Sequence, residues 1–132
     1  MQNLHGMPNK GGVIVIDAPR GCGKTFLANV VLAKVRLMYG FDSVCASAAT
    51  GIASLLLPHA TTTHKAYGLP LECDETTRCP FSDRKTKLYQ LMQNYRIHWA
   101  DECSMLNRHC YNAIEFTLQD FFSNKKLTGG TL

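Results

Sequence analysis

A short β-branched run, Val13-Ile14-Val15-Ile16, is separated by Asp17 alone from the octapeptide Ala18-Pro19-Arg20-Gly21-Cys22-Gly23-Lys24-Thr25. The run reads as a buried parallel strand, bounded by Gly11-Gly12 before it and Ala18-Pro19 after it. From Thr25 to about Met38 the residues Leu27, Val30, Val31, Ala33, Leu37 and Met38 recur at helical spacing, and Gly40 follows as a stop. A glycine-rich loop between a strand and a helix aims backbone N–H groups and the positive end of a helix dipole at whatever anion sits there. The octapeptide fits the wider form of the Walker A phosphate-binding loop, with Ala18 in the place of the usual first glycine. An ordinary glycine-rich turn carrying a surface lysine is the alternative, and the flanking strand and helix weigh against it.

Each residue type in the loop has its own chemical reason. Gly21 and Gly23 let the backbone curl close to phosphates, Lys24 reaches β- and γ-phosphates, and the Thr25 hydroxyl can coordinate Mg²⁺. Cys22 offers its backbone rather than its thiol. The cofactors implied are ATP and Mg²⁺. Downstream, Ile97-His98-Trp99-Ala100-Asp101-Glu102 puts two carboxylates after a strand expected over Arg96 to Trp99, an arrangement that suits a Walker B motif. In a parallel sheet both loops lie at the carboxyl ends of strands, so Asp101 can meet Mg²⁺ beside Thr25 while Glu102 orients or deprotonates the attacking water. An Asp-Glu pair alone is more often a solvated turn; the loop upstream gives this one its meaning.

The remaining pattern supports the same architecture. Ser43 to Ser47 reads as a strand, and Thr50-Gly51 opens a helical stretch from Ile52 to Leu57 that Pro58 stops. Leu69 to Arg84, with two prolines, two cysteines and mixed charges, has no period and is expected to be an exposed insertion. Lys87 to Tyr95 carries Leu88, Leu91, Met92 and Tyr95 on one helical face. A last helix aligns Cys110, Ala113, Ile114, Thr117, Leu118, Phe121 and Phe122. Strands alternating with helices predict an α/β fold, a parallel sheet with helices on both faces, over residues 1–122, followed by a disordered polar tail at 123–132. Three strands are few for such a sheet.

Composition sets outer bounds. Apolar residues make up 45% and charged residues 18% of the 132, which suits a globular chain rather than a disordered one. A net charge of +4 permits a polyanionic partner without demanding one. No stretch approaches the roughly 20 consecutive apolar residues of a membrane span, and Met1 to Lys10 lacks the apolar run of a signal peptide. An intracellular chain without membrane contact is expected. The six cysteines are irregularly spaced, so reduced thiols are expected, and neither Arg108-His109-Cys110 nor Cys73 with Cys79 has the paired short spacing of a structural zinc site.

With both nucleotide motifs in place, the sequence from about Val13 to Phe122 resembles the Pif-type ATP-dependent DNA helicases of superfamily one, particularly the forms carried by Helitron-like transposons. The resemblance also includes Ala49-Thr50-Gly51-Ile52-Ala53-Ser54-Leu55-Leu56-Leu57, Thr61-Thr62-Thr63-His64, Trp99 with Asp101 to Met105, and Arg108-His109-Cys110-Tyr111-Asn112-Ala113-Ile114. It implies the RecA-like lobe of a P-loop NTPase, with Lys24, Asp101 and Glu102 in catalysis of ATP hydrolysis. It further implies unwinding of the 5′-to-3′ type, roles in DNA recombination, repair and telomere maintenance, and a nuclear location. By position Thr50 and Gly51 touch the backbone of single-stranded DNA and His64 lies beside the strand. A plain helix cap at Thr50 and a partly buried loop histidine at His64 are the alternatives.

Departures from the family pattern limit the expectation. Ala18 replaces a glycine, Ala100 separates Trp99 from the acidic pair, and the region ahead of Val13 lacks the family's adenine-reading glutamine element. The sequence ends ahead of the phosphate-sensing glutamine and of the second motor lobe, whose arginine is worth about 10³–10⁵ in rate in other phosphate-loop enzymes. An incomplete first lobe is therefore expected, one that binds nucleotide and single-stranded DNA weakly and turns over near background. Two other readings stand beside it: a small nucleotide kinase, for which Arg78, Arg84 and Arg108 are too scattered to build a lid, and a non-catalytic protein that keeps the fold for binding alone.

Overall fold

The computed structural model describes residues 12–80 and 85–121. Phe122, the expected tail at 123–132 and the end of the expected insertion lie outside the described residues. A three-stranded sheet in the order β2-β1-β3 is built from β1 (Val44–Ala48), β2 (Thr61–Thr62) and β3 (Ile97–Asp101). Both pairings are parallel, with Val44 to Ala48 opposite Ile97 to Asp101 on one side and Ser47 and Ala48 opposite Thr61 and Thr62 on the other. Parallel neighbours need crossovers. The short helix α2 (Gly51–Ser54) lies between β1 and β2, and α3 (Thr63–Tyr67) and α4 (Lys87–Asn94) lie between β2 and β3. Helix α1 (Lys24–Tyr39) precedes the sheet and α5 (Arg108–Phe121) follows it.

β1 is buried at every residue, and its alternation divides the core in two. Val44 and Ala46 pack with Ala28, Leu32 and Val35 of α1 and with Leu57, joined by Ile97 and Trp99 of β3. Cys45 points into the opposite cluster, with Tyr67, Met92, Cys110, Ala113, Ile114 and Leu118 from α3, α4 and α5. Ser47, also fully buried, donates to the Trp99 carbonyl at 3.2 Å and accepts from Thr63 Oγ1 at 3.4 Å, so its hydroxyl is satisfied between strands. The expected α/β fold with both sheet faces covered is the fold observed.

Four expectations change. Val13 to Ile16 forms no strand: the segment is irregular and exposed, Val15 to 80%. A β-branched run becomes a strand only with a ladder partner, and among the described residues β3 is the last strand on its side of the sheet. Second, the stripe of α1 that meets the sheet is Ala28, Leu32 and Val35, while Leu27, Val30, Ala33 and Leu37 remain exposed. An all-round apolar helix offers several stripes at helical spacing, and packing selects one. Third, β2 and α3 occupy a stretch in which no periodicity announces them, since two residues of strand have none.

Fourth, the expected exposed insertion is docked at both ends. Leu69 and Cys79 sit in the core cluster beside Cys45, and the Cys79 N–H donates to Thr117 Oγ1 at 3.1 Å. The turn into this strap is specified by Gly68, whose φ is 67°; a Cβ placed there would lie 2.8 Å from Pro80 Cγ. Both the left-handed backbone and the close approach require glycine.

β3 also brings a histidine into the core. The Tyr67 hydroxyl is hydrogen-bonded to His98 Nδ1 at 2.8 Å, and the Tyr67 and Tyr95 rings lie 5.8 and 5.5 Å from the imidazole. His98 Nε2 is shut off from solvent without a partner, and burial pushes the imidazole down to about 4 from its ordinary 6.5. The unfolded chain therefore takes up this proton at a higher pH than the folded one, and stability falls as the pH drops. The urea midpoint is expected to decline between about pH 6.5 and about pH 4 and to decline less in His98→Gln. An unchanged slope in the variant contradicts the assignment.

Candidate nucleotide site

The loop ahead of α1 is shaped by two left-handed glycines, Gly21 at φ 79° and Gly23 at φ 82°, and Gly23 is the residue that starts the helix. A side chain at either position would be strained whatever the space around it. The Cys22 N–H reaches the Pro19 carbonyl at 3.4 Å, closing the turn, and the Leu27 N–H reaches Gly23 at 3.0 Å as the first helical bond. No side chain caps α1 and its first turn holds no acidic residue. The leading N–H groups therefore face outward with the positive end of a 16-residue helix behind them.

Lys24 folds back over this loop. Its ammonium donates to the carbonyl of Ala18 and, at 3.2 Å, to that of Pro19, so the cation spans the loop with no carboxylate partner among the described residues. Thr25 is half-buried beside it, while Gly21, Cys22 and Gly23 are exposed. A ring of outward N–H donors with a lysine ammonium across it is chemistry suited to phosphate oxygens.

The acidic pair closes β3. Asp101 is the last residue of the strand, opposite Ala48, and its carbonyl accepts from the Ala49 N–H at 3.2 Å. Its carboxylate accepts from the Glu102 N–H at 3.0 Å. Glu102 is exposed and adopts φ 51°, ψ 38°, a left-handed conformation that is unusual for a glutamate. The turn after it, Cys103–Met105, is held from α5 by Tyr111, whose hydroxyl donates to the Cys103 carbonyl. Tyr111 thus positions the acidic corner, a role no motif spacing announces. Among the described residues no hydrogen bond or ion pair joins the loop to Asp101 or Glu102.

Thr50 and Gly51 leave the carboxyl end of β1, the same sheet edge as Asp101. Thr50 Oγ1 accepts from the Ala53 N–H at 3.2 Å, so it caps α2 and keeps its own O–H free to donate. His64, in α3, directs Nε2 at Cys110 Sγ, 3.7 Å away. The glycine loop lies ahead of α1, while the acidic pair and Thr50-Gly51 share the carboxyl edge of the sheet.

A family model described as PIF1-like helicase matches residues 4–132. The chain belongs to the PIF1-like helicase family. Solved structures agree with the fold. Unliganded Pif1 from Bacteroides sp. is similar with a TM-score of 0.65 and 23% identity, over 84% of this chain and 24% of that one. Bacteroides Pif1 bound to ssDNA gives 0.62 and 22%, over 84% and 25%. Bacteroides sp. Pif1 in complex with ADP-AlF4 gives 0.62 and 21%, over 84% and 24%. The chain thus spans about a quarter of the length of these PIF1-like relatives. No curated protein matches it.

A left-handed glutamate carries about 1–2 kcal/mol of backbone strain, part of which a glycine relieves and part of which it returns as chain entropy. Glu102→Gly is therefore expected to raise unfolding stability by up to about 1 kcal/mol, read from urea melts of both chains. A clear loss of stability would mean that the carboxylate makes a contact that outweighs the strain.

Proposed function

We propose that this chain is the nucleotide-binding portion of an ATP-dependent DNA helicase and binds Mg²⁺-ATP at the loop Ala18 to Thr25. One observation carries the reading: the uncapped start of α1, reached through Gly21 and Gly23, with the Lys24 ammonium resting on loop carbonyls rather than on a carboxylate. Lys24 would exchange those neutral acceptors for phosphate oxygens, which are stronger partners for a cation. The exposed Gly21, Cys22 and Gly23 backbone would line the phosphates. Thr25 and Asp101 are the residues suited to Mg²⁺, a hard cation that takes hydroxyl and carboxylate oxygen. Held there, the ion would supply positive charge against the negative charge of the phosphates.

Glu102 is the residue proposed to orient the attacking water. Its left-handed backbone and the Tyr111 bond behind it favour that role, because an exposed carboxylate held at a fixed corner can accept a proton without reorganising. Single-stranded DNA is the proposed partner, with Thr50 and Gly51 touching its backbone; the free Thr50 O–H supports this. His64 supports it less well, since its Nε2 faces Cys110. Unwinding polarity of the 5′-to-3′ type rests on family resemblance. So does motor activity, which belongs to proteins about four times as long as this chain.

Calorimetry with Mg²⁺-ATP is expected to give saturable binding that Lys24→Ala weakens about ten- to a hundredfold, as the loss of a charged hydrogen bond worth about 1.5–3 kcal/mol requires. Equal binding by a folded Lys24→Ala chain, or none by the folded parent, contradicts the reading.

A further inference from the structure

On the face of the sheet away from α1, three separate segments bring potential metal ligands together. His64 comes from α3, Cys73 from the strap after Gly68, and Cys110 from the first turn of α5; their ligand atoms all lie within 4.8 Å of one another. Cys110 is buried and the other two are half-buried, so the cluster sits at the rim of the core with one side open. The sequence held no hint of it, because a spacing rule detects ligands that are near neighbours in the chain, and these meet only after the strap has docked.

We propose that His64, Cys73 and Cys110 form a binding site for a thiophilic divalent cation, Zn²⁺ being the natural occupant. The geometry carries the claim. Zn²⁺ binds sulfur at about 2.3 Å and imidazole nitrogen at about 2.0–2.1 Å, so tetrahedral ligation puts S and N about 3.6 Å apart. Cys110 Sγ and His64 Nε2 are separated by 3.7 Å. Two thiolates on the same ion lie about 3.8 Å apart by the same arithmetic, and the 4.8 Å limit leaves a small inward movement of Cys73 to reach that spacing. Cys73 is free to make it, since its thiol is held only by a weak bond to the Pro70 carbonyl at 3.5 Å and by the Cys110 thiol.

Chemistry points the same way. Cys73, Cys79 and Cys110 crowd this corner, and burial first, with the neighbouring thiols second, disfavours the thiolate at Cys79 and Cys110. A divalent cation reverses that penalty by holding thiolates together. Two sulfurs and one imidazole select Zn²⁺ over Mg²⁺, which takes oxygen. The ion would pin the strap to α3 and α5, and so fasten the layer that covers the second face of β1. This site is distinct from the nucleotide loop and does not depend on the nucleotide reading.

The test uses the full chain, reduced and freed of metal, titrated with Co²⁺. Expected are thiolate-to-cobalt charge-transfer bands in the near ultraviolet and the visible bands of tetrahedral Co²⁺, both bleached by stoichiometric Zn²⁺. Cys73→Ser, a near-isosteric change at a half-buried position beside the core, should weaken binding at least about tenfold, since even outer partners of metal ligands are worth 10–100-fold. His64→Ala should weaken it while keeping the charge-transfer band. Zn²⁺ should raise the melting temperature of the parent and not that of Cys73→Ser. No bands in a folded parent, or identical bands and affinity in Cys73→Ser, would overturn the proposal. So would a Cys73–Cys110 disulfide whose reduction restores no metal binding.

Discussion

The structure depends on the burial of β1 on both of its faces. A five-residue strand with no exposed position can exist only if each face has its own cover and each edge its own ladder. Val44 and Ala46 therefore need α1, Cys45 needs the α3, α4 and α5 layer, and the two ladders fix β2 and β3 in parallel register. Because parallel strands end on the same side, this one requirement puts Thr50-Gly51 and Asp101-Glu102 at a common edge. The candidate residues at that edge are thus placed by a strand that carries none of them.

Left-handed backbone recurs where chemistry is proposed, though His59, Gly40 and Gly68 adopt it elsewhere. The left-handed residues include Gly21 and Gly23 in the phosphate loop and Glu102 after the strand. Glycine removes the strain in the loop; at Glu102 nothing does, and the Tyr111 hydroxyl and the Asp101 carboxylate hold the corner instead. Backbone held in a sparsely populated region by its surroundings is a feature often met at functional sites, and it agrees with the role proposed for Glu102.

What could be read from the residues follows the length of each signal. Strands β1 and β3, helices α4 and α5, and the glycine loop were legible because periodicity or a spaced motif spans several residues; the buried stripe of α5 from Cys110 to Leu118 matches its pattern. Val13 to Ile16 misled because propensity is local, whereas a strand is a property of pairs. The strap from Leu69 to Cys79 misled for the converse reason: its anchors are single residues held by contacts far apart in sequence, Gly68 against Pro80 and Cys79 against Thr117. The cluster at His64, Cys73 and Cys110 was invisible on the same ground. The candidate motifs stand out in the sequence, but the Tyr111 bond to the Cys103 carbonyl beside Glu102 does not, since a tyrosine on an amphipathic helix has no distinguishing pattern.

The central claim, that the glycine loop and the start of α1 receive phosphate, is tested most directly by hydrogen–deuterium exchange with and without Mg²⁺-ATP. The account predicts slowed exchange at the amides of Gly23 to Phe26, which precede the first helical bond at Leu27, and at Glu102, against an unchanged β1. Protection confined to other segments, or none in a chain whose β1 amides already exchange slowly, would contradict it.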